Sequence, residues 1–442
     1  MPCSAASRVL PGYPHSASPP RCAALIAKEL GGALGDGALT AAADAVLKGV
    51  VTSVYNLEWI QECAADLASQ PGGSVVLAGG RQSKEVHLLV AAINSALGAY
   101  GPFVSVVDHK LPENAGIKDL ADSLNAGEVE TLFILNEGDV AFDAPADLGF
   151  ADLLAGVKTV VHLGYHVNET AKLATWHVPE THYLEAWGDF FSLSGVCSVQ
   201  QPMITPLWGG TSINAFLLSL FNEEASEEAI FGWVKDTFAE VGGSDWTAAL
   251  RDGFAKGASL PKKDFSGEVG QIGAVTVADL PHPEGLEVVL TVGGTTYDGR
   301  FANNGWLQEA PDPITKLTWD NAALVSIYTA EVLKLENGDL VELTVGDRKV
   351  VAPILKAPGH ADFCISLAVG YYGGKATGTV SSGVGFDAYP LMTTAQSLVV
   401  SGVMLRKLGR SHELALTAEH YSMEGRAIAR EGTAEMYEED PH

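Results

Sequence analysis

Four histidines cluster in one stretch, at His162, His166, His177 and His182, and imidazoles four or five residues apart can converge on a metal ion. Their setting speaks against it. They straddle a strand end and a proline-containing loop, and no cysteine or regular carboxylate spacing joins them. HVPETH (His177–His182) is not an H-E-x-x-H motif, because Pro179 breaks the helix that would bring two imidazoles to one face. The five cysteines, Cys3, Cys22, Cys63, Cys197 and Cys364, include no C-x-x-C pair. Neither an iron–sulfur cluster nor a zinc site is therefore written here, and the odd, scattered set gives no disulfide framework. We assign no metal ligand.

Phosphate binding needs glycines that let helix N–H groups approach an anion. VVLAGG (Val75–Gly80) before a helix offers Gly79 and Gly80, but the G-x-G-x-x-G set is missing and the stretch reads as a plain strand-to-helix turn. No G-x-S-x-G elbow, P-loop or kinase signature occurs. Ser194 and Ser198 have no base nearby in sequence, and unpaired carboxylates in an acidic protein are surface residues by default. No catalytic residue is assigned.

The elements that would position such groups alternate. VVLAGG, FVSVVD (Phe103–Asp108), TLFILN (Thr131–Asn136) and TVVHLG (Thr159–Gly164) read as buried strands. Helical patterns lie between them at Glu85–Gly98, Gly116–Gly127 and Asp147–Gly156. This spacing implies an α/β fold with a doubly wound, mostly parallel sheet. Two amphipathic helices follow, at Gly209–Phe221 and Ile230–Val241. From Leu286 the pattern becomes short β-branched runs (LEVVLTV, ALVSIYT, LVELTVG, KVVAPILK, FCISLAV), with turn signals at Asn337-Gly338 and Gly346-Asp347. These suit a β-barrel. We expect a loop or linker over 1–45, the α/β domain over 46–245, a linker over 246–285, the barrel over 286–405 and an extended acidic tail over 406–442.

The 442 residues are 47% apolar and 18% charged, which excludes disorder and allows a large core. Fifty-four acids against 27 bases give a net charge of −27. Nucleic acid and anionic membrane surfaces are poor partners for such a chain, whereas a basic soluble electron acceptor would be attracted. No run of 18 apolar residues crosses a bilayer, and the Pro- and Ser-rich start lacks the pattern of a secretory signal. We read that start as a loop or an artificial beginning.

One stretch is more specific. HVPETHYLEAWGDFFSLSGVCSVQQPMITPLWGGTS (His177–Ser212) resembles the segment closing the third domain of molybdopterin oxidoreductases of the dimethyl-sulfoxide-reductase family. GRFANNGWLQEAPDPITKLTWDNAALVS (Gly299–Ser326), with ENGDLVEL and APGHAD, is similar to that family's dinucleotide-binding, double-psi-like barrel. The wording LEAWGD, QPMITPL, GVGFDAYPL and HYSMEGR most resembles the B-subunit family of alternative complex III. The resemblance implies a complex on the periplasmic face of the bacterial inner membrane that oxidises menaquinol and passes electrons to a cytochrome c or copper protein. Its partners would be a ferredoxin-like iron–sulfur subunit, a multihaem cytochrome and membrane subunits, with iron–sulfur clusters and haems carried there.

Three departures from the family pattern bear on cofactor binding. The family's G-G-N-P loop becomes Asn136-Glu137-Gly138-Asp139, its Ala-Asp-x-x-Leu-Pro becomes Ala174-Thr175-Trp176-His177-Val178-Pro179, and its Glu-Gly-Arg becomes Ser194-Gly195-Val196. Two carboxylates against a pyrophosphate cost about 1–4 kcal/mol, and the lost arginine removes a phosphate partner. The expectation is a cofactor-free structural subunit, split from or a fragment of a longer one. Two alternatives stand beside it. One is half of an active molybdenum (bis-pterin guanine dinucleotide) oxidoreductase completed by a partner chain, with Gly79, Gly80, Asn136, Glu185, Asn304 and Asp320 on the nucleotide side. The other is a free-standing acidic binding module.

Overall fold

A computed structural model describes residues 18–47, 56–80, 82, 84–107, 114–192, 196–221, 225–255, 262–263, 286–375, 377–417 and 432–440. The N-terminal segment expected to be a loop instead contains helices Ser18–Leu34 and Gly37–Leu47. Pro19 and Pro20 fall in the first turn, where a missing N–H costs nothing. Ala27, Leu30, Leu39 and Ala43 then pack with Ala64, Ile93 and Leu97 from helices Leu57–Ser69 and Lys84–Ala96.

Val75–Gly80 forms no strand ladder. The Asn94 amide satisfies Val76 from both sides, accepting from its N–H and donating to its carbonyl, each at 2.8 Å. Of the expected strand at Phe103–Asp108, β1 (Val106–Val107) remains, paired antiparallel with Lys262–Lys263; Asp108 lies outside the described residues. The parallel sheet consists of β2 (Thr131–Ile134), β3 (Thr159–Gly164) and β4 (Trp176–Pro179), in that order. Helices Ile117–Asn125 and Phe150–Ala155 cover it, burying Ala121, Phe150 and Leu154 against Ile134 and Val160.

An antiparallel pair follows, β5 (Gly188–Phe191) with β6 (Cys197–Gln200). It shares a core with helices Ile213–Leu220 and Glu227–Glu240, both close to expectation. Trp246–Asp252, within the expected linker, is a third helix of this core: Asp245 caps it and Ala249 is buried. The paired Lys262–Lys263 is β7; most of the remaining linker lies outside the described residues.

The second half is a closed six-stranded barrel of β8 (Leu286–Val292), β9 (Ala323–Val325), β10 (Asp339–Val345), β11 (Arg348–Lys356), β12 (Cys364–Val369) and β13 (Val399–Ser411). β8 pairs parallel with β12, and β9 parallel with β11. The Gly346-Asp347 signal is the tight turn joining β10 to β11, with Gly346 at φ +60°. β13 runs past residue 405, where the tail was expected to begin, because Met404–Lys407 pair with β10. Their charged side chains face solvent, Arg406 meeting Glu342 at 2.9 Å.

The apolar run ALVSIYT is a strand only through Val325; Ser326 then caps a helix, Ile327–Leu333. Its hydroxyl accepts from the Thr329 N–H at 3.0 Å and donates to Asp362. Ser326→Ala is expected to cost about 1–2 kcal/mol in urea unfolding.

Candidate functional site

The strands of the parallel sheet end in polar turns, and ligands of such folds lie beyond strand C-termini. After β2 the chain turns through Asn136 and Glu137, both left-handed at φ +60° and +58°. A left-handed non-glycine residue costs on the order of 1–3 kcal/mol, so something must hold Glu137. Its N–H donates to the Leu163 carbonyl at 3.3 Å, and its carboxylate meets His166 Nδ1 at 2.8 Å. A Cβ on Gly164 would stand 2.7 Å from Glu137 Oε2, so glycine at the end of β3 makes room for the carboxylate.

Asp139 ties the two halves together. It is only 6% exposed, and its Oδ1 accepts from the Thr170 N–H at 2.8 Å and the Thr170 hydroxyl at 2.7 Å. Its Oδ2 accepts from the Tyr372 hydroxyl of the barrel side at 2.7 Å. Burial first, and then the Asp139 charge, push the Tyr372 hydroxyl far above its ordinary value, so it remains a donor. Alongside, Phe142 stacks on Tyr372 with ring centroids 3.9 Å apart and enters the barrel core.

The crevice between the sheet ends and the barrel is lined by Asn136, Glu137, Asp139, Asp143, Asp298 and Arg300, among others, and encloses about 40 Å³. Burial pushes Asp143 up to about 7, helped by the Asp139 and Asp298 charges. Beside this crevice, burial and the Glu137 charge push Glu180 to about 7. Glu180 Oε2 is buried with no hydrogen-bond partner, as suits a neutral acid. Arg300 is held by Asp298 at 2.7 Å.

The histidines divide between roles. His162 is fully buried, with Nε2 at 3.1 Å from the Gly138 carbonyl and Nδ1 at 3.0 Å from His177 Nδ1. A carbonyl only accepts, so His162 carries its proton on Nε2 and receives the His177 Nδ1–H. Burial first lowers both pKa values, with His177 a further cause at His162, which suits a neutral pair. His166 holds Glu137, and His182 Nδ1 accepts from the Leu184 N–H at 3.3 Å. Among the described residues no three His, Cys, Asp or Glu side chains are placed to hold a metal ion.

Of the six candidate nucleotide-side residues, only Asn136 lines this crevice. Gly79 and Gly80 are exposed, with open space where a side chain would be. Glu185 takes the N–H groups of Leu207 and His182, at 2.9 Å each, and these hold its pKa below the usual range. Asn304 caps the short helix Gly305–Glu309, and Asp320 lies in a different cavity, bonded to His412 at 2.8 Å. Thr175 accepts from the Val160 N–H at 3.0 Å and so braces the sheet. Ser194 and Gly195 lie outside the described residues, and Val196 is exposed. Sequence reading missed Asp143, Asp298 and Tyr372, although the Asn136–Asp139 loop lies just before Asp143 and the run GRFANN just after Asp298.

No family model and no curated protein matches this sequence. Among solved structures, acetylene hydratase from Pelobacter acetylenicus is similar, with TM-score 0.67 and 12% identity over 88% of this chain and 70% of that one. At such identity the likeness is one of fold. What the two share is an α/β part with a parallel sheet followed by a closed barrel.

A pterin nucleotide does not fit the crevice as these residues build it. Its volume is a small fraction of the roughly 300–1,000 Å³ of an ordinary ligand pocket. Carboxylates supply much of its lining, where a pyrophosphate would need cations or N–H groups.

Proposed function

We propose that this chain is a scaffold subunit that keeps the molybdopterin-oxidoreductase-like fold and binds no pterin. The observation carrying this reading is the crevice of about 40 Å³, occupied by Glu137, Asp139, Asp143 and the Phe142–Tyr372 stack. One of these carboxylates, Asp139, also binds the α/β half to the barrel through Tyr372.

Within this proposal the chain serves a complex of the alternative complex III kind, on the periplasmic face of the inner membrane. It supports an iron–sulfur partner beside a multihaem cytochrome and membrane subunits. These oxidise menaquinol and deliver electrons to a cytochrome c or copper protein. The wording of the sequence supports this, and so does its surface. Met203, Leu207 and Trp208, close in sequence, are 69%, 65% and 89% exposed, and exposed apolar side chains of this size suit contact with another protein. No helix among the described residues is long and apolar enough to cross a membrane.

The test is metal and pterin analysis of the complex purified from its native membrane. We expect iron and haem on partner subunits, with less than a tenth of an equivalent of molybdenum, tungsten or released guanine per copy of this chain. Stoichiometric molybdenum and guanine would overturn the scaffold reading in favour of an active half-enzyme. Recovery of the chain as a soluble monomer without membrane subunits would overturn its place in a complex.

A further inference from the structure

The barrel carries a second cavity, of about 160 Å³, that shares no lining residue with the crevice. Val288, Leu290, Ile365 and Leu367 point into the barrel core. Strand alternation therefore puts Thr291, Ser366 and Ala368 on the outer face of the wall, where they form the cavity floor. These side chains are small, and the space they leave is roofed by the loop that runs from Gly294 to Ala322.

Into this largely apolar slot come two carboxylates, Asp312 and Asp320. Asp312 Oδ1 accepts from the Ile314 N–H at 3.0 Å and from the Thr315 N–H and hydroxyl at 2.7 and 2.9 Å, which fixes the side chain. Its Oδ2 has no hydrogen-bond donor among the described residues. Asp320 is paired on one oxygen with His412, and its side chain is 13% exposed. Tyr371, on the cavity wall, has its hydroxyl pKa raised by burial first and then by both carboxylate charges. Both acids therefore lie close to the same wall. The nearby Lys316 ammonium donates to the Pro313 carbonyl at 2.8 Å and is paired with neither carboxylate among the described residues. Ile314 stands 86% exposed at the rim.

Carboxylates in a slot with apolar walls attract a cation more strongly than they would in open water. A long basic side chain lays its methylenes on apolar surface and presents its charge at the end. We propose that this cavity receives one arginine or lysine side chain from a basic partner protein. Its stem would lie on the Thr291–Ser366–Ala368 floor, its charged head on Asp312 and Asp320, and the partner backbone over Ile314. The net charge of −27 favours such a partner. The inference does not rest on the scaffold reading, because an active enzyme of this fold would carry the same slot.

The probe is a capped Ala-Ala-Arg-Ala-Ala peptide titrated into the full chain and followed by ligand-observed NMR, beside the same peptide with uncharged citrulline. We expect the arginine peptide to bind at least about tenfold more tightly. Asp312→Asn keeps the Oδ1 acceptor of its turn and should lower arginine-peptide affinity about tenfold, leaving citrulline binding unchanged. Ala368→Leu fills the floor and should abolish binding while the far-ultraviolet spectrum and the unfolding midpoint stay as in the parent. Butylguanidinium is the third arm. If it binds as tightly as the arginine peptide, the slot serves a free small cation and partner docking is overturned. Equal affinity for the arginine and citrulline peptides, or undiminished binding in either variant, also overturns the proposal.

Discussion

Asp139→Ala is expected to destabilise the chain by about 3–5 kcal/mol in denaturant unfolding. The carboxylate is buried and accepts three hydrogen bonds, two from Thr170 and one from Tyr372. Alanine leaves those three donors short of an acceptor in a site with little room for water, at about 1–3 kcal/mol for each group left unpaired. The damage should also be non-local, because Asp139 and Tyr372 are 233 residues apart in sequence and join the α/β half to the barrel. Unfolding of the variant should split into two transitions, or lose slope in denaturant, as the halves come apart separately. Tyr372→Phe keeps the Phe142 stack and removes one donor, so it should cost less, about 1–3 kcal/mol. A cycle combining Asp139→Asn with Tyr372→Phe should give a coupling energy of about 1 kcal/mol or more. If Asp139→Ala unfolds within about 1 kcal/mol of the parent, the carboxylate is not the tie between the halves.

That tie was half legible in the sequence. The Asn136–Asp139 turn could be placed because it follows the apolar run Thr131–Leu135. Asn136 and Glu137 both hold the left-handed backbone that glycine adopts freely. Tyr372 and Asp298 could not be read, because the barrel half brings them to Asp139 and Asp143 only when it packs on the sheet; Asp143 lies one turn after Asp139, but its burial depends on the same packing.

The fold shows the same division. Thr159–Gly164 and Leu286–Val292 read correctly from apolar runs because each pairs with its own neighbours along the full length. Val75–Gly80 has the same apolar character but meets Asn94 instead of a strand. The start of ALVSIYT reads as strand and its end becomes helix, because Ser326 supplies a cap that outweighs the β preference of the residues after it. Pro19 and Pro20 suggested a loop where they begin a helix. In each miss a side chain or a first-turn position satisfies backbone groups that a ladder or open loop would otherwise have satisfied.

The buried acids in and beside the crevice should be visible in the pH dependence of stability. Burial raises Asp143 from 3.8 to about 7, and Glu180 from 4.5 to about 7. Each holds its proton more tightly in the folded chain than in the unfolded one. Their contribution is therefore fully present below pH 4 and disappears as the pH rises through about 7. His162 and His177 act in the opposite direction: their pKa values are lowered from 6.5, so what they contribute is present above that value and is lost as the pH falls through their folded values. Folding is thus penalised on both sides. The amide of Asp143→Asn copies the neutral acid and cannot ionise. This variant should match the parent near pH 4 and exceed it at pH 8 by about 2 kcal/mol, below the full linkage value because the carboxyl is only partly shielded from water. Glu180→Gln should show the same sign with a smaller gain. The measurement is urea unfolding of parent and variants from pH 4 to 9. A difference that stays flat across that range would mean that Asp143 ionises freely, and that the crevice is wetter and wider than its geometry implies.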